Sequence, residues 1–288
     1  MNTDADPCVD FAAYACGNFS KLHPIPADRA DLDSLTMVFL KTEPELRKLV
    51  ERVSADNANR SPNEQKIGDF YATCVDQQAI DNAGLKPFQP ELDRIAALKD
   101  KKELTELLAH YQLMNVNALI NVSVNQDFKD ATKEVMTMDQ GGLGLPERDY
   151  YFRTGDAAET TRKQYVQHVA NIFKLMGESE ERANADARKV MDLETALAKV
   201  SMDVTSRRDP EKIYHPMSVA KFSLLTPSID WPHLFATMGV ASTNDLMVIA
   251  PNFFAGLEKT IDATDLEDRK STRLNSSHFQ VSRMPSSA

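Results

Sequence analysis

The sequence has 288 residues, of which 42% are hydrophobic and 26% charged, a globular composition that excludes wholesale disorder. It carries 33 Lys and Arg against 43 Asp and Glu, a formal net charge of −10, the opposite of the basic footprint of a nucleic-acid binder. No apolar run is long enough to span a bilayer, and no signal peptide is visible at the N-terminus. We therefore expect a soluble, acidic, mostly helical chain with no nucleic-acid partner and no membrane segment.

The first third of the chain predicts helices. Apolar residues recur at helical spacing over residues 34–53, where Pro44 is expected to kink or split the helix. Ser61, with Glu64 three residues later, has the pattern of a capping box at the start of a second helix. Cys74 falls on the apolar stripe of that helix, which predicts that it points inward.

The middle of the chain predicts a small sheet. Two helical stretches, residues 91–98 and 102–113, precede a change to period-two alternation over residues 119–124 and 133–138. We interpret these two runs as the strands of one antiparallel hairpin.

The remaining third predicts helices again. A long helix ends near Gly177 and another begins at Ser179. Shorter helices are expected over residues 218–225, 233–238 and 252–263. The apolar run from Leu246 to Ala250 fits either a strand or a buried link. The fold class is therefore mainly α with one small antiparallel β-hairpin.

The last twenty residues, 269–288, differ from all that precede them. Serine is crowded there, acidic residues vanish and no apolar periodicity survives. A disordered tail would explain this composition. The run STRLNSSH also resembles translated sequencing-adaptor DNA, and we favour that non-native origin, with the native sequence stopping near Asp268.

Zinc peptidase chemistry needs two imidazoles about one helical turn apart, with a carboxylate beside them. No two histidines are four residues apart, and none begins a His-Glu pair. We therefore assign no catalytic and no metal-binding residue. The six histidines are His23, His110, His168, His215, His233 and His278.

Two other motifs invite a functional interpretation but favour a structural one. Gly141 to Gly144 lack the Gly-Lys-Ser/Thr of a phosphate loop, so we interpret them as a tight connection from hairpin to helix. Arg148 and Asp149 after it are expected to form a local ion pair or helix start. Arg207 and its neighbour are interpreted as solvated surface.

Three cysteines, Cys8, Cys16 and Cys74, cannot all pair within one chain. No C-x-x-C occurs, so neither a zinc knuckle nor a thioredoxin-type redox pair is supported. Either the three are buried or free thiols, or their disulfide partners lie in a stretch of chain that this sequence lacks.

Two segments together resemble the neprilysin family of zinc metallopeptidases, also called family M13. The N-terminal run DPCVDFAAYACGNF is similar to the opening of that family, with its Pro-Cys, Asp-Phe and Tyr-Ala-Cys-Gly in the same order. GLGLPERDYY, from Gly142 to Tyr151, looks like the family's Gly-Leu-Gly-Leu-Pro-x-Arg-Asp-Tyr-Tyr signature. Weaker similarity lies around Cys74 and over residues 207–218.

The resemblance implies a two-lobed enzyme that cleaves oligopeptides. One lobe holds zinc through a His-Glu-x-x-His helix and a later glutamate. The other, a lid-type N-terminal lobe, encloses the substrate. Residues 1–268 correspond to an incomplete lid lobe, so zinc and the C-terminal catalytic lobe would belong to the full-length protein, and this chain alone is expected to be inactive.

The resemblance also implies that Cys8, Cys16 and Cys74 form disulfides with cysteines outside this chain. Their oxidation would place the full-length protein in the periplasm, secreted, or anchored outside the cytoplasm. Other possibilities are a non-catalytic helical peptide-binding module, an inactive fragment, or a cytosolic helical scaffold with three free thiols.

The sequence departs from the family after Ile25 and Pro26. Some members place an arginine there that binds the C-terminal carboxylate of the substrate, whereas this chain has Asp31 and Asp33 in that stretch. An aspartate would repel a carboxylate. Arg29 could reach the same space, although a structural or solvent role is favoured, so we assign no substrate-binding residue.

Overall fold

The computed structural model describes residues 1–27, 29, 31–55 and 59–264. The chain divides into two compact units, Met1–Gly84 and Leu85–Ala288. The domain boundary at residue 268 and the tail interpretation of residues 269–288 lie outside the described residues.

The first unit is helical. Its longest helix runs through Pro44 without a break, so the proline does not split it. Ser61 Oγ accepts a hydrogen bond from the Glu64 N–H at 3.3 Å, and the Glu64 carboxylate accepts one from the Ser61 N–H at 3.0 Å, which confirms the capping box. The helices are α1 (Phe11–Cys16), α2 (Phe19–Leu22), α3 (Ser34–Ser54), α4 (Pro62–Val75) and α5 (Gln77–Ala83).

Helices α3 and α4 pack together at a glycine. A Cβ atom on Gly68 would lie 2.0 Å from the carbonyl oxygen of Val53, so only glycine allows this approach. Val53 is also the only buried hydrophobic side chain among the described residues of this unit.

The apolar stripe of α3 and α4 is exposed. Its largest member, Phe70, is 73% exposed, and Cys74 beside it is exposed too, so its expected inward orientation is wrong. The reason is that α3 and α4 touch at Val53 and Gly68, away from the stripe, and no described side chain of this unit covers it. The stripe consists of Leu35, Val38, Phe39, Leu46, Leu49, Ile67, Phe70 and Val75.

The second unit combines helices with a small sheet. Short 3-10 helices precede its first two α-helices. The α-helices are α6 (Gln89–Ala96), α7 (Leu104–Leu113), α8 (Asp156–Leu175), α9 (Glu180–Val200), α10 (Val219–Ser223), α11 (Trp231–Thr237) and α12 (Pro251–Ala263). The strands are β1 (Ile120–Gln126), β2 (Glu134–Gln140), β3 (Pro216–Ser218) and β4 (Asp245–Val248).

The sheet has the order β1-β2-β4-β3. Strands β1 and β2 form the predicted antiparallel hairpin, with Ile120 opposite Gln140. Strand β4 pairs parallel to β2, which decides between the two interpretations of the apolar run that starts at Leu246. Strand β3 was not expected, because three residues are too few to show a period.

The core of the second unit lies between the sheet and helices α7, α9, α11 and α12. Its centre is aromatic: the ring of Phe222 lies 4.6 Å from that of Trp231 and 4.7 Å from that of Phe254. All three side chains are fully buried. A second cluster joins α8 to α9 through Val169, Phe173 and Val190. None of the helices in the described ranges is both long and apolar enough to cross a membrane.

Candidate functional site

The glycine-rich signature forms a loop that is tied to a buried tyrosine. The segment leaves β2 and ends in a 3-10 helix, Arg148–Tyr151. The Tyr151 hydroxyl accepts a hydrogen bond from the Leu145 N–H at 3.1 Å and donates one to Glu194 at 2.6 Å. The end of the signature therefore fastens its own middle to helix α9.

Glu194 is the centre of this arrangement. It is fully buried on α9, and its second carboxylate oxygen accepts a hydrogen bond from the Tyr165 hydroxyl of α8 at 2.7 Å. Burial raises the pKa of the Glu194 carboxyl to about 7, against the opposite effect of the two tyrosine hydrogen bonds. Burial and the neighbouring carboxylate also raise the pKa of the Tyr151 hydroxyl. The three side chains thus form a satisfied network without the exposed, reactive group that catalysis requires.

Charged residues hold the outside of the signature loop. Glu147 accepts a hydrogen bond from Arg153 at 2.5 Å, and the Arg162 guanidinium donates to the Tyr150 and Arg153 carbonyls at 2.9 and 2.8 Å. Arg148 starts the 3-10 helix with its Nε 3.9 Å from an Asp149 oxygen, which agrees with the local role expected of this pair.

A cavity of about 290 Å³ lies beside the signature loop. Its polar wall includes Asn117, Asn121 and Arg207, and its apolar wall includes Leu143 and Met202. Such a mixture suits amide-containing ligands, because asparagine side chains both donate and accept hydrogen bonds.

Arg207 corrects one interpretation from the sequence. It donates two hydrogen bonds to Asp139 of β2, at 2.7 and 2.6 Å, and its side chain is only 32% exposed. It is therefore not simply solvated surface. The pairing fixes the segment after α9 against the sheet, together with Gln140, whose amide donates to the Met202 carbonyl and accepts from its N–H.

The histidines have local partners or lie on the surface. His110 bonds to both oxygens of Glu91, His233 contacts Glu106, and the His215 ring lies 3.0 Å from the Val248 carbonyl. His168 is exposed. His278 lies outside the described residues. Nowhere in the described ranges do three His, Cys, Asp or Glu side chains form a group that could hold a metal ion.

The three cysteines lie in the first unit. Cys8 precedes α1, Cys16 is its last residue, and Cys74 lies near the end of α4. All three are free thiols with exposed side chains. Exposed thiols are accessible to cysteines of another segment, which is the geometry that external disulfide partners require.

The departure from the carboxylate-binding arginine has a structural counterpart. Asp33 accepts a hydrogen bond from the Thr36 N–H at 2.6 Å and so caps α3. This bond lowers the pKa of the Asp33 carboxyl. The Arg29 guanidinium lies 3.6 Å from Glu43. Asp33 thus has a local helix-capping role.

The sequence reasoning missed Glu194 and Tyr165 as partners of the signature. The signal for Glu194 was present, because it stands among the alanines, valine and leucine on one face of α9 and is the only acid in that row. The signal for its partners was not, because Tyr151 and Tyr165 are 43 and 29 residues away in sequence.

Comparison with known proteins places these features in a family. Residues 7–273 match the family model described as Peptidase family M13. The chain therefore belongs to peptidase family M13, and it corresponds to the N-terminal region of that family's members.

Individual relatives agree with this assignment. Endothelin-converting enzyme 1 of Cavia porcellus is 29% identical over 279 residues, which cover 92% of this chain and 36% of that protein. An endothelin-converting enzyme homolog of Locusta migratoria is 30% identical, over 91% of this chain and 38% of that protein. This chain thus spans little more than a third of the length of these relatives.

A solved structure shows the same fold. The inhibitor-bound zinc metalloprotease Zmp1 of Mycobacterium tuberculosis is 29% identical, with a TM-score of 0.85 over 95% of this chain and 42% of that one. The mainly helical fold with a small sheet, expected for one lobe of a larger peptidase, is confirmed.

Proposed function

We propose that this chain is the N-terminal, substrate-enclosing part of a zinc-dependent metalloendopeptidase that cleaves oligopeptides. The observation that carries the proposal is the family match over residues 7–273, joined to the similarity with a zinc metalloprotease over 95% of the chain. The described residues offer no group fit to hold zinc, so we derive no catalytic step from them. The zinc ligands and the proton-accepting glutamate would come from the catalytic lobe.

The first unit supports the existence of a missing partner surface. Its apolar stripe on α3 and α4 is exposed, and apolar surface of this extent normally contacts another protein segment. We propose that the C-terminal catalytic lobe of the same protein covers this stripe. Cys8, Cys16 and Cys74 would then form disulfides with cysteines of the covering segment, in a protein that resides outside the cytoplasm.

A peptidase assay tests the proposed activity. The 288-residue chain and a longer chain, continued along its gene to the His-Glu-x-x-His helix, are each given a short quenched peptide with zinc, with and without a chelator. We expect chelator-sensitive cleavage by the longer chain and none by the shorter one. Chelator-sensitive turnover by the 288-residue chain would contradict the proposal, as would a gene that ends without the zinc motif.

A second assay tests enclosure of the substrate. The longer enzyme is expected to cleave the short peptide and to spare a large unfolded protein that carries the same cleavage sequence. Equal rates on both substrates would show that the N-terminal part does not select by size.

Labelling of thiols tests the proposed disulfides. In the unreduced longer enzyme, Cys8, Cys16 and Cys74 are expected to resist alkylation, whereas in the 288-residue chain all three should react because they are exposed. Three reactive thiols in the longer enzyme would favour the alternative of a cytosolic scaffold.

A further inference from the structure

Strand β1 has an open outer edge. It occupies one end of the four-stranded sheet and is seven residues long, whereas β3 at the other end has three residues and begins with Pro216. Open edges are usually protected by shortness, proline or charge. The sequence of β1, INVSVNQ, contains neither proline nor a charged residue.

The register shows which backbone groups face outward. The Asp127 N–H donates to the Lys133 carbonyl at 2.9 Å and continues the ladder with β2. Because bonding alternates along an antiparallel pair, the odd-numbered residues of β1 bond to β2 and the even-numbered residues face the open edge.

A side-chain amide already bonds to the beginning of this edge. The Val122 N–H donates to Gln112 Oε1 at 3.1 Å, and Gln112 Nε2 donates to the Ile120 carbonyl at 3.0 Å. One amide group therefore accepts from and donates to two backbone groups of the edge, as an added strand would. The edge has the geometry that an amide requires.

The rest of the edge is accessible. The next outward groups are the Val122 carbonyl, both backbone groups of Val124, and the Gln126 N–H. Within the described part of the chain, no hydrogen bond to these groups is found beyond the Val122 N–H bond to Gln112. Residues 123–126 are exposed, and the Val124 side chain is 60% exposed.

We propose that the open part of β1, from Val122 to Gln126, binds an extended peptide by strand addition. The peptide's main-chain N–H and carbonyl groups would bond to the outward groups of Val122, Val124 and Gln126. Because these bonds go to backbone, and because β1 is uncharged, binding would depend little on the sequence or charge of the peptide. The proposal rests on the proposed peptidase function, since the peptide bound is a substrate of the longer enzyme.

Binding to the 288-residue chain tests this site apart from catalysis. The probe is a blocked peptide of alternating Thr and Val, and its control is the same peptide with N-methyl groups on alternate residues. Val124→Pro removes the central N–H of the edge without breaking a bond to β2, and edge strands tolerate such a proline. Val124→Thr keeps the N–H and serves as the matched variant.

We expect the unmethylated probe to bind the wild type and Val124→Thr, with about tenfold weaker binding to Val124→Pro from the lost hydrogen bond and the displaced neighbours. The N-methylated probe should not bind. In wild type, hydrogen exchange at the Val124 and Gln126 amides should slow when the probe is added, a readout that holds even if Val124→Pro fails to fold.

Other outcomes would overturn the site. These are no binding to the wild type, equal binding of the methylated probe, and equal binding by the proline variant. Dimerisation through β1 that the probe does not displace would assign the edge to a second copy of the chain instead. Since no turnover is measured, failure here leaves the chelator-sensitive cleavage assay as a separate test of the proposed function.

Discussion

The two units of the chain differ in how they treat their apolar side chains. The unit from Leu85 onward buries an aromatic centre, in which Trp231 and Phe254 are fully covered. The unit up to Gly84 buries Val53 and leaves its largest apolar side chains, including Phe39 and Phe70, in contact with solvent. Since burial of apolar surface is the main source of stability, the second unit has its own core, and the first is expected to need a covering surface.

The largest expected effect comes from one substitution made in each unit. Phe254→Ala should lower the free energy of unfolding by about 3–5 kcal/mol, because it empties a fully buried site. Phe70→Ala, at a side chain that is 73% exposed, should change it by less than about 0.5 kcal/mol. Urea unfolding, followed by the fluorescence of Trp231, the only tryptophan of the sequence, measures both. Equal losses would show that the two units share one core.

A smaller effect concerns pH and the second unit alone. The fold raises the pKa of Glu194 from 4.5 to about 7, so between these values the native state binds more protons than the unfolded state. The free energy of unfolding should therefore fall as the pH rises through this window, by roughly 3 kcal/mol in total.

Glu194→Gln checks this origin of the pH dependence. Glutamine keeps an acceptor for the tyrosine hydroxyls and removes the ionisation, so the slope should largely disappear between pH 5 and 8. Glu211→Gln, at a side chain that is 79% exposed, is the matched control and should keep the slope. A slope that persists in Glu194→Gln would mean that another group controls it.

The exposed stripe of the first unit predicts self-association of the chain. At tens of micromolar, light scattering should report species larger than a monomer, because uncovered apolar patches associate. Phe70→Glu should shift the distribution towards monomer by placing a charge in the stripe. Gln65→Glu adds the same charge to the same helix at an exposed polar position and should have little effect. A wild-type chain that is already monomeric would contradict the prediction.

The sequence predicted local features better than distant contacts. The Ser61 capping box and the β1–β2 hairpin were predicted because their partners are close in sequence. The parallel pairing of β4 with β2 joins residues more than a hundred positions apart, and no local period reveals such a contact.

The candidate site shows the same limit. The motif around Tyr151 could be recognised from its residues, but its bond to Glu194 depends on how α8 and α9 pack. For Cys74, helical spacing identified an apolar stripe correctly and its direction wrongly. Periodicity shows which residues share a face, and only the rest of the fold decides whether that face is covered.

The smallest expected effect lies at the start of α4, in the unit with little core. Ser61→Ala removes the acceptor of the Glu64 N–H and should destabilise the helix by about 1 kcal/mol. Since Val53 alone is buried there, this loss is a large share of the local stability, and hydrogen exchange should rise along α4. Ser179→Ala removes the equivalent cap of α9, whose apolar face is buried, so exchange in the middle of α9 should change little. Similar increases in both helices would show that the first unit is as well supported as the second.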